Sequence, residues 1–300
     1  MNLKLALQLG RISNLPTVWS NVRVGALLAG GALVDVEMAG AEASAARLPL
    51  LMVALSLFYV GGMFLNDAFD SAFDARHRPE RPIPSGLVSA RQVYVYGFGM
   101  LAVGLLGVAL ASRGAGGRPG WQALASGLAL AAAIVLYNAH HKGNPLSPLV
   151  MGLCRVFVVT TAAFSFAAVL PQPVVLAALA LLCHLIGLTY IAKQEHLDRV
   201  GALWPLGFLA LPVVYGVALA VKTPAVWLFL ALYMGVLVYA LSLLRRRARG
   251  DVPRAVVTLI AGMSVLDGMV LAGGGHLVAA ALAVAAFVLT LFLQRWVSGT

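Results

Sequence analysis

The chain is constrained first by a succession of long, uninterrupted apolar runs. Ten are legible, at residues 15–34, 48–66, 89–112, 121–139, 147–169, 173–192, 203–221, 225–244, 254–272 and 276–296. Each approaches the roughly 20 apolar residues that a helix needs to cross a bilayer. Continuous runs exclude a membrane β-barrel, whose strands alternate apolar and polar side chains. With 61% hydrophobic residues and a mean hydropathy of +0.92, the expected fold is all-α, a polytopic transmembrane helical bundle. The connectors carry turn chemistry: Pro79-Glu80-Arg81-Pro82, Gly143-Asn144-Pro145, Pro171-Gln172-Pro173 and Gly273-Gly274-Gly275. No internal repeat and no composition break appears, so residues 1–300 are expected to form a single membrane domain. The pattern of a cleavable signal is missing, and the first run reads as a permanent helix. Cys154 and Cys183 both fall inside apolar runs and read as packing residues.

Charge orders the topology. With the N-terminus in the cytoplasm and alternating spans, one side collects Lys4, Arg11, Arg76, Arg78, Arg81, Arg91, Lys142, Lys193, Arg199, Arg245, Arg246, Arg247, Arg249, Arg254 and Arg295. The other side holds only Arg47, Arg113, Arg118 and Lys222. This asymmetry satisfies the positive-inside rule and predicts both termini on the cytoplasmic side of an inner membrane. The net charge of +10 is thus a topology signal. No basic face stands apart from the membrane edge, so a nucleic-acid partner is not expected.

Against this basic background, Asn66, Asp67, Asp70 and Asp74 gather at the end of the second run, in a chain with only 11 acids. Carboxylates beside lipid are costly and mark a functional site by default. Asp67, Asp70 and Asp74 stand at i, i+3 and i+7, and Asn66, Asp70 and Asp74 at i, i+4 and i+8, which is one helix face. Acids this close repel one another unless a cation intervenes. Their oxygens suit Mg²⁺, an ion usually shared with a substrate phosphate. The bland alternative is a solvated helix end paired with Arg76, Arg78 and Arg81. The assumed topology puts this cluster, Arg81, Lys142 and the 193–199 segment on one membrane face. Such a mouth suits an anion with a lipid tail.

Asn66-Asp67-x-x-Asp70-x-x-x-Asp74 followed by Arg81-Pro82-Ile83-Pro84-Ser85-Gly86 resembles the first aspartate-rich motif of the UbiA-type intramembrane prenyltransferases. The likeness runs on through Tyr137 to Lys142 and the polar segment 193–198. The stretches 58–67, 141–148 and 188–195 are most similar to the branch called EboC. The resemblance implies about nine spans around a central cavity open to the cytoplasmic face or to lipid, which against ten runs leaves one extra C-terminal helix or one run that does not span. It also implies Mg²⁺-dependent transfer of a prenyl group from an isoprenyl diphosphate to a small, often aromatic acceptor. In that reading Asp67, Asp70 and Asp74 are catalytic. Together with Asn66, Glu195 and Asp198 they hold one or two Mg²⁺ against the diphosphate.

The second motif departs from the family pattern. Lys193-Gln194-Glu195-His196-Leu197-Asp198 has Gln194 where the first Asp of an Asp-x-x-x-Asp pair is expected. Glu195 and Asp198, at i and i+3, still suit a shared metal, and Lys193 suits a diphosphate oxygen. Arg81 and Lys142 are expected to add positive charge, and Asn21 to donate either to diphosphate or to a neighbouring helix. Arg155, about two turns into the fifth run, is expected to meet the site carboxylates or diphosphate, or to reach for the interface. Tyr137 and Tyr190 offer ring faces for an allylic cation. His140, His141 and His196 lack a metal-binding pattern, and Arg245 to Arg249 reads as a topology anchor. A transporter or non-catalytic protein binding an isoprenoid would use the same polar mouth, but the inverted repeats of many transporters are not evident.

Overall fold

The computed structural model describes residues 1, 3–30, 41–113, 120–193, 204–246 and 248–297. Among them the chain is helical throughout: α1 (Leu3–Leu9), α2 (Leu15–Leu28), α3 (Ala41–His77), α4 (Ala90–Ala111), α5 (Trp121–His140), α6 (Ser147–Phe164), α7 (Gln172–Lys193), α8 (Ala210–Lys222), α9 (Val226–Arg246), α10 (Asp251–Gly273) and α11 (Leu277–Leu293). Short 3₁₀ turns precede α2 and α8. The ten apolar runs correspond in order to α2 through α11. Seven of these helices are long and apolar enough to cross a membrane. The described parts of α2, α8 and α11 are shorter, with 14, 13 and 17 residues.

Local chemistry sets the boundaries. Pro16 and Pro148 open α2 and α6, where the missing N–H is no loss. Ser89 and Gln92 form a reciprocal capping box at the start of α4. Gly143, at φ 71°, turns the chain between α5 and α6 in a conformation that glycine adopts readily. Helix α3 outlasts its apolar run by about three turns because residues 67–78 contain neither proline nor glycine. The acidic cluster is therefore carried on a rigid helix.

Two apolar cores share a seam. Val18, Val22 and Ala26 of α2 and Val158 and Ala162 of α6 pack with Leu51, Phe58, Leu65 and Leu130 from α3 and α5. Val24 and Leu27 of α2 and Val159 and Ala163 of α6 pack instead with α7, α9, α10 and α11. Helices α2 and α6 thus face both ways. Gly25 makes their contact close: a β-carbon there would overlap the Val159 carbonyl. The cytoplasm-predicted ends of α3, α5 and α7 and the start of α6 meet on one side of the bundle. Lys142 after α5 reaches α3, and Lys193 at the end of α7 donates to the Asn144 carbonyl at 2.8 Å and to Ser147 Oγ at 2.9 Å.

Candidate active site

A cavity of about 390 Å³ opens among α2, α3, α5, α6, α7 and α10. One wall is polar, with Arg11 and Asn14 before α2, Tyr59, Asn66 and Asp70 on α3, Arg78 and Arg81 after it, and Tyr137, Asn138 and His141 from α5. The rest of the lining is largely apolar, including Leu185, Leu188 and Ala192 of α7 and Val256, Ile260 and Met263 of α10. Phe58, Leu130 and Val158 belong to it as well. An apolar pocket with a few converging polar groups is the common form of a small-molecule site.

The acidic stripe divides in two. Asp70 lines the cavity and turns to α5: Lys142 Nζ stands 2.7 Å from its Oδ1 and His141 Nε2 3.6 Å from its Oδ2. Lys142 also lies over the Phe73 ring, at 3.7 Å. Asp67 and Asp74 turn to the following loop, where Arg81 Nη1 donates to Asp67 Oδ1 at 3.0 Å and stands 3.7 Å from Asp74 Oδ2. Arg11 Nη2 donates to Asn66 Oδ1 at 3.3 Å and lies 3.6 Å from Asp67. Asn66 Nδ2 in turn donates to Asn138 Oδ1 at 3.1 Å. Arg11 has φ 42°, a left-handed backbone that a residue with a side chain adopts at roughly 1–2 kcal/mol. Each carboxylate of the stripe thus has a cation beside it, and the burial of Asp67 and Asp74 is compensated.

Among the described residues no three acidic, imidazole or thiol side chains stand together as a ready-made metal cage. The donor set nevertheless fits Mg²⁺, which is commonly held by one or two carboxylates with waters and substrate phosphates supplying the rest. Asp70 and Asn66 are hard oxygen donors on the cavity wall, with Asp67 and Asp74 within one and two turns of them. Glu195 and Asp198 lie outside the described residues, as do Gln194 and His196.

Of the remaining expected residues, Tyr137 and Arg155 line the cavity and the others stand beside or behind it. Tyr137 lines it and stacks on His141, the ring centres 5.0 Å apart. Lys142 reaches the cavity through Asp70. Lys193 braces the 144–147 turn, and Tyr190 is half-buried on α7 away from the cavity lining. Arg155 lines the cavity as well, held from behind by a buried network that includes Asn21. Arg155 Nη1 donates to Asn21 Oδ1 and its Nη2 to Thr17 Oγ1, both at 3.1 Å. Asn21 Nδ2 donates to Asp267 Oδ2 at 2.7 Å. The Arg155 guanidinium lies 5.3 Å from the centre of the Tyr59 ring.

The sequence reading passed over Arg11, Asn14, Asn138 and Asp267. Arg11 and Asn14 stand three apart just before a helix-opening proline, a spacing that placed both on one turn. Asp267 had the stronger signal, as the one acid in the interior of the 254–272 run. Asn14 joins the site through Tyr59, to whose Oη its Nδ2 donates at 3.2 Å, and accepts from Gln294 Nε2 at 2.7 Å, so the end of α11 is tied to the cavity rim.

Comparison with known proteins bears on this geometry. The model of the UbiA prenyltransferase family matches residues 18–246. A digeranylgeranylglyceryl phosphate synthase of Methanopyrus kandleri is 31% identical over 206 residues, covering 67% of this chain and 70% of its own. One of Natronomonas pharaonis is 31% identical over 229 residues, covering 74% and 77%. A structure solved in work on digeranylgeranylglyceryl phosphate synthase in membranes superposes with a TM-score of 0.61 at 20% identity, over 93% of this chain and 98% of that one. That last likeness concerns the fold.

Proposed function

The chain belongs to the UbiA prenyltransferase family, and on that premise we propose that it transfers a prenyl group from an isoprenyl diphosphate to a small acceptor in the membrane, with Mg²⁺. The observation that carries this reading is Asp70. It stands on the cavity wall between Lys142 and His141, in a cavity whose α7 and α10 lining is largely apolar and suits a hydrocarbon tail. The relatives' name adds a prenylated glyceryl phosphate to the aromatic compounds as an acceptor class. The stretches that resemble the EboC-like branch, a single domain over residues 1–300, and a cytoplasmic mouth with both termini on that side are parts of the same reading.

In this mechanism Asp70, with Asn66, Asp67 and Asp74 around it, holds Mg²⁺ together with the diphosphate. Bound there, the ion neutralises charge on the leaving group. Arg11, Arg81 and Lys142 are within a side-chain rotation of the same anion and exchange carboxylate partners for phosphate oxygens. Lys193 is assigned to the same site, as are Glu195 and Asp198, which lie outside the described residues and enter on the sequence motif alone. The allylic C–O bond breaks and its electron pair leaves with the diphosphate. The acceptor's nucleophile then bonds to the allylic carbon and releases a proton. Tyr137 presents a ring face to the developing cation, and the apolar lining keeps water from it.

The test is to incubate the purified chain with labelled isoprenyl diphosphates, Mg²⁺ and a cell extract, and to look for a new labelled lipid. Product is expected, and Asp70→Asn and a chelator are each expected to abolish it. Product that survives both would defeat the mechanism, and diphosphate binding without product would favour a non-catalytic isoprenoid binder.

A further inference from the structure

Resting on that reading, we propose that Arg155 is a second anion site in the cavity and that it receives an acid group, carboxylate or phosphate, carried by the acceptor. The cavity holds its cations at two levels. Arg11, Arg81 and Lys142 surround the acidic end of α3. Arg155 instead faces Tyr59, which precedes Asp70 by 11 residues on the same helix, about 16 Å along its axis. A diphosphate gripped at Asp70 does not touch this deeper cation, and a hydrocarbon tail gains nothing from lying against a guanidinium. A substrate group with oxygen acceptors at that depth satisfies it.

The way Arg155 is held supports the same conclusion. A guanidinium has five N–H donors, and the bonds to Asn21 and Thr17 use two of them. Its balancing charge, Asp267, is one residue removed, on α10, with the Asn21 amide between. An ion pair serving only packing would be direct and bidentate, the geometry that Arg and carboxylate favour. Here Asp267 lowers the penalty of burying the cation without occupying its fork. Asn21 and Thr17, one turn apart on α2, fix its plane. Asp267 and Asn21 are therefore positioning residues, and Arg155 is the group that touches the acceptor.

The test uses the full chain in lipid nanodiscs, first without donor, and reads the change in Tm on adding four probes: a hydroxyaromatic carboxylic acid, its primary amide, a prenylglyceryl phosphate and the matching prenylglycerol. One acid is expected to raise Tm while its neutral counterpart does not, and the responding pair tells an aromatic acid from a lipid phosphate. Arg155→Gln is expected to remove the shift. Should that variant fail to fold, Arg155→Lys keeps the charge and loses the planar fork. It is expected to raise KM for the acid acceptor about tenfold, with kcat changed less than about twofold. Equal shifts from acid and neutral probes, no shift from either acid, or an acid shift unaltered in the Arg155 variants would overturn the inference. Acid-specific binding without any product on adding donor would keep it and defeat the transferase reading instead.

Discussion

Asp70 and Arg155 divide the work of the cavity, and substitution separates them. Asp70→Asn preserves size and loses charge. If the carboxylate organises the diphosphate, kcat should fall by at least about 100-fold, the scale of losing one preorganised electrostatic contact, with Tm little changed. Arg11 allows a cleaner separation. Its φ of 42° suits glycine, so Arg11→Gly should keep or raise Tm while KM for the diphosphate rises about tenfold. Asp267→Ala should do the reverse, because it strands Arg155 as a buried cation. A loss of about 3–5 kcal/mol is expected from unfolding in mixed micelles, with most of it recovered in Asp267→Ala/Arg155→Met. Sequence reading found the acids of α3 through their spacing, but spacing says nothing of partners. It put Asp67, Asp70 and Asp74 on one stripe, whereas Asp70 faces α5 and the other two face Arg81. Residues three, four and seven apart share one face of a helix, so the cations on either side decide which way each acid turns.

At the scale of elements, the contact between α2 and α6 matters most. These helices supply Thr17 and Asn21 on one side and Arg155 on the other, and Gly25 sets their separation against the Val159 carbonyl. Gly25→Val should force them apart, at about 1–3 kcal/mol of stability. Because Arg155 is held across that contact, KM for the acceptor should rise more than KM for the diphosphate, which a steady-state comparison of both substrates would read. The continuous apolar runs made α2 through α11 legible in advance. They left the ends of α3 and α8 open: hydropathy locates what is buried in lipid, and capping, prolines and tertiary packing decide where helical hydrogen bonding stops. Thus α3 runs on to His77 through five polar positions, and α8 begins only at Ala210 after a 3₁₀ turn.

For the whole molecule, the account requires one cavity reached from one membrane face. Single-cysteine reporters at Glu80 and at Arg113, in a chain whose Cys154 and Cys183 are replaced by alanine, should label from opposite sides, with Glu80 on the cytoplasmic side. Family membership was legible from Asn66-Asp67-x-x-Asp70-x-x-x-Asp74 with the Arg81 loop. The network of Thr17, Asn21, Arg155 and Asp267 was not, since it joins residues up to 246 positions apart and no local pattern links them. The most direct test of the central claim, that this cavity breaks an allylic C–O bond, is a single-turnover measurement of diphosphate release by the purified chain with acceptor-containing extract. It compares an allylic isoprenyl diphosphate with its saturated analogue. The account predicts Mg²⁺-dependent release from the allylic compound and binding without release from the saturated one. Release from both alike, or from neither under conditions where both bind, would contradict it.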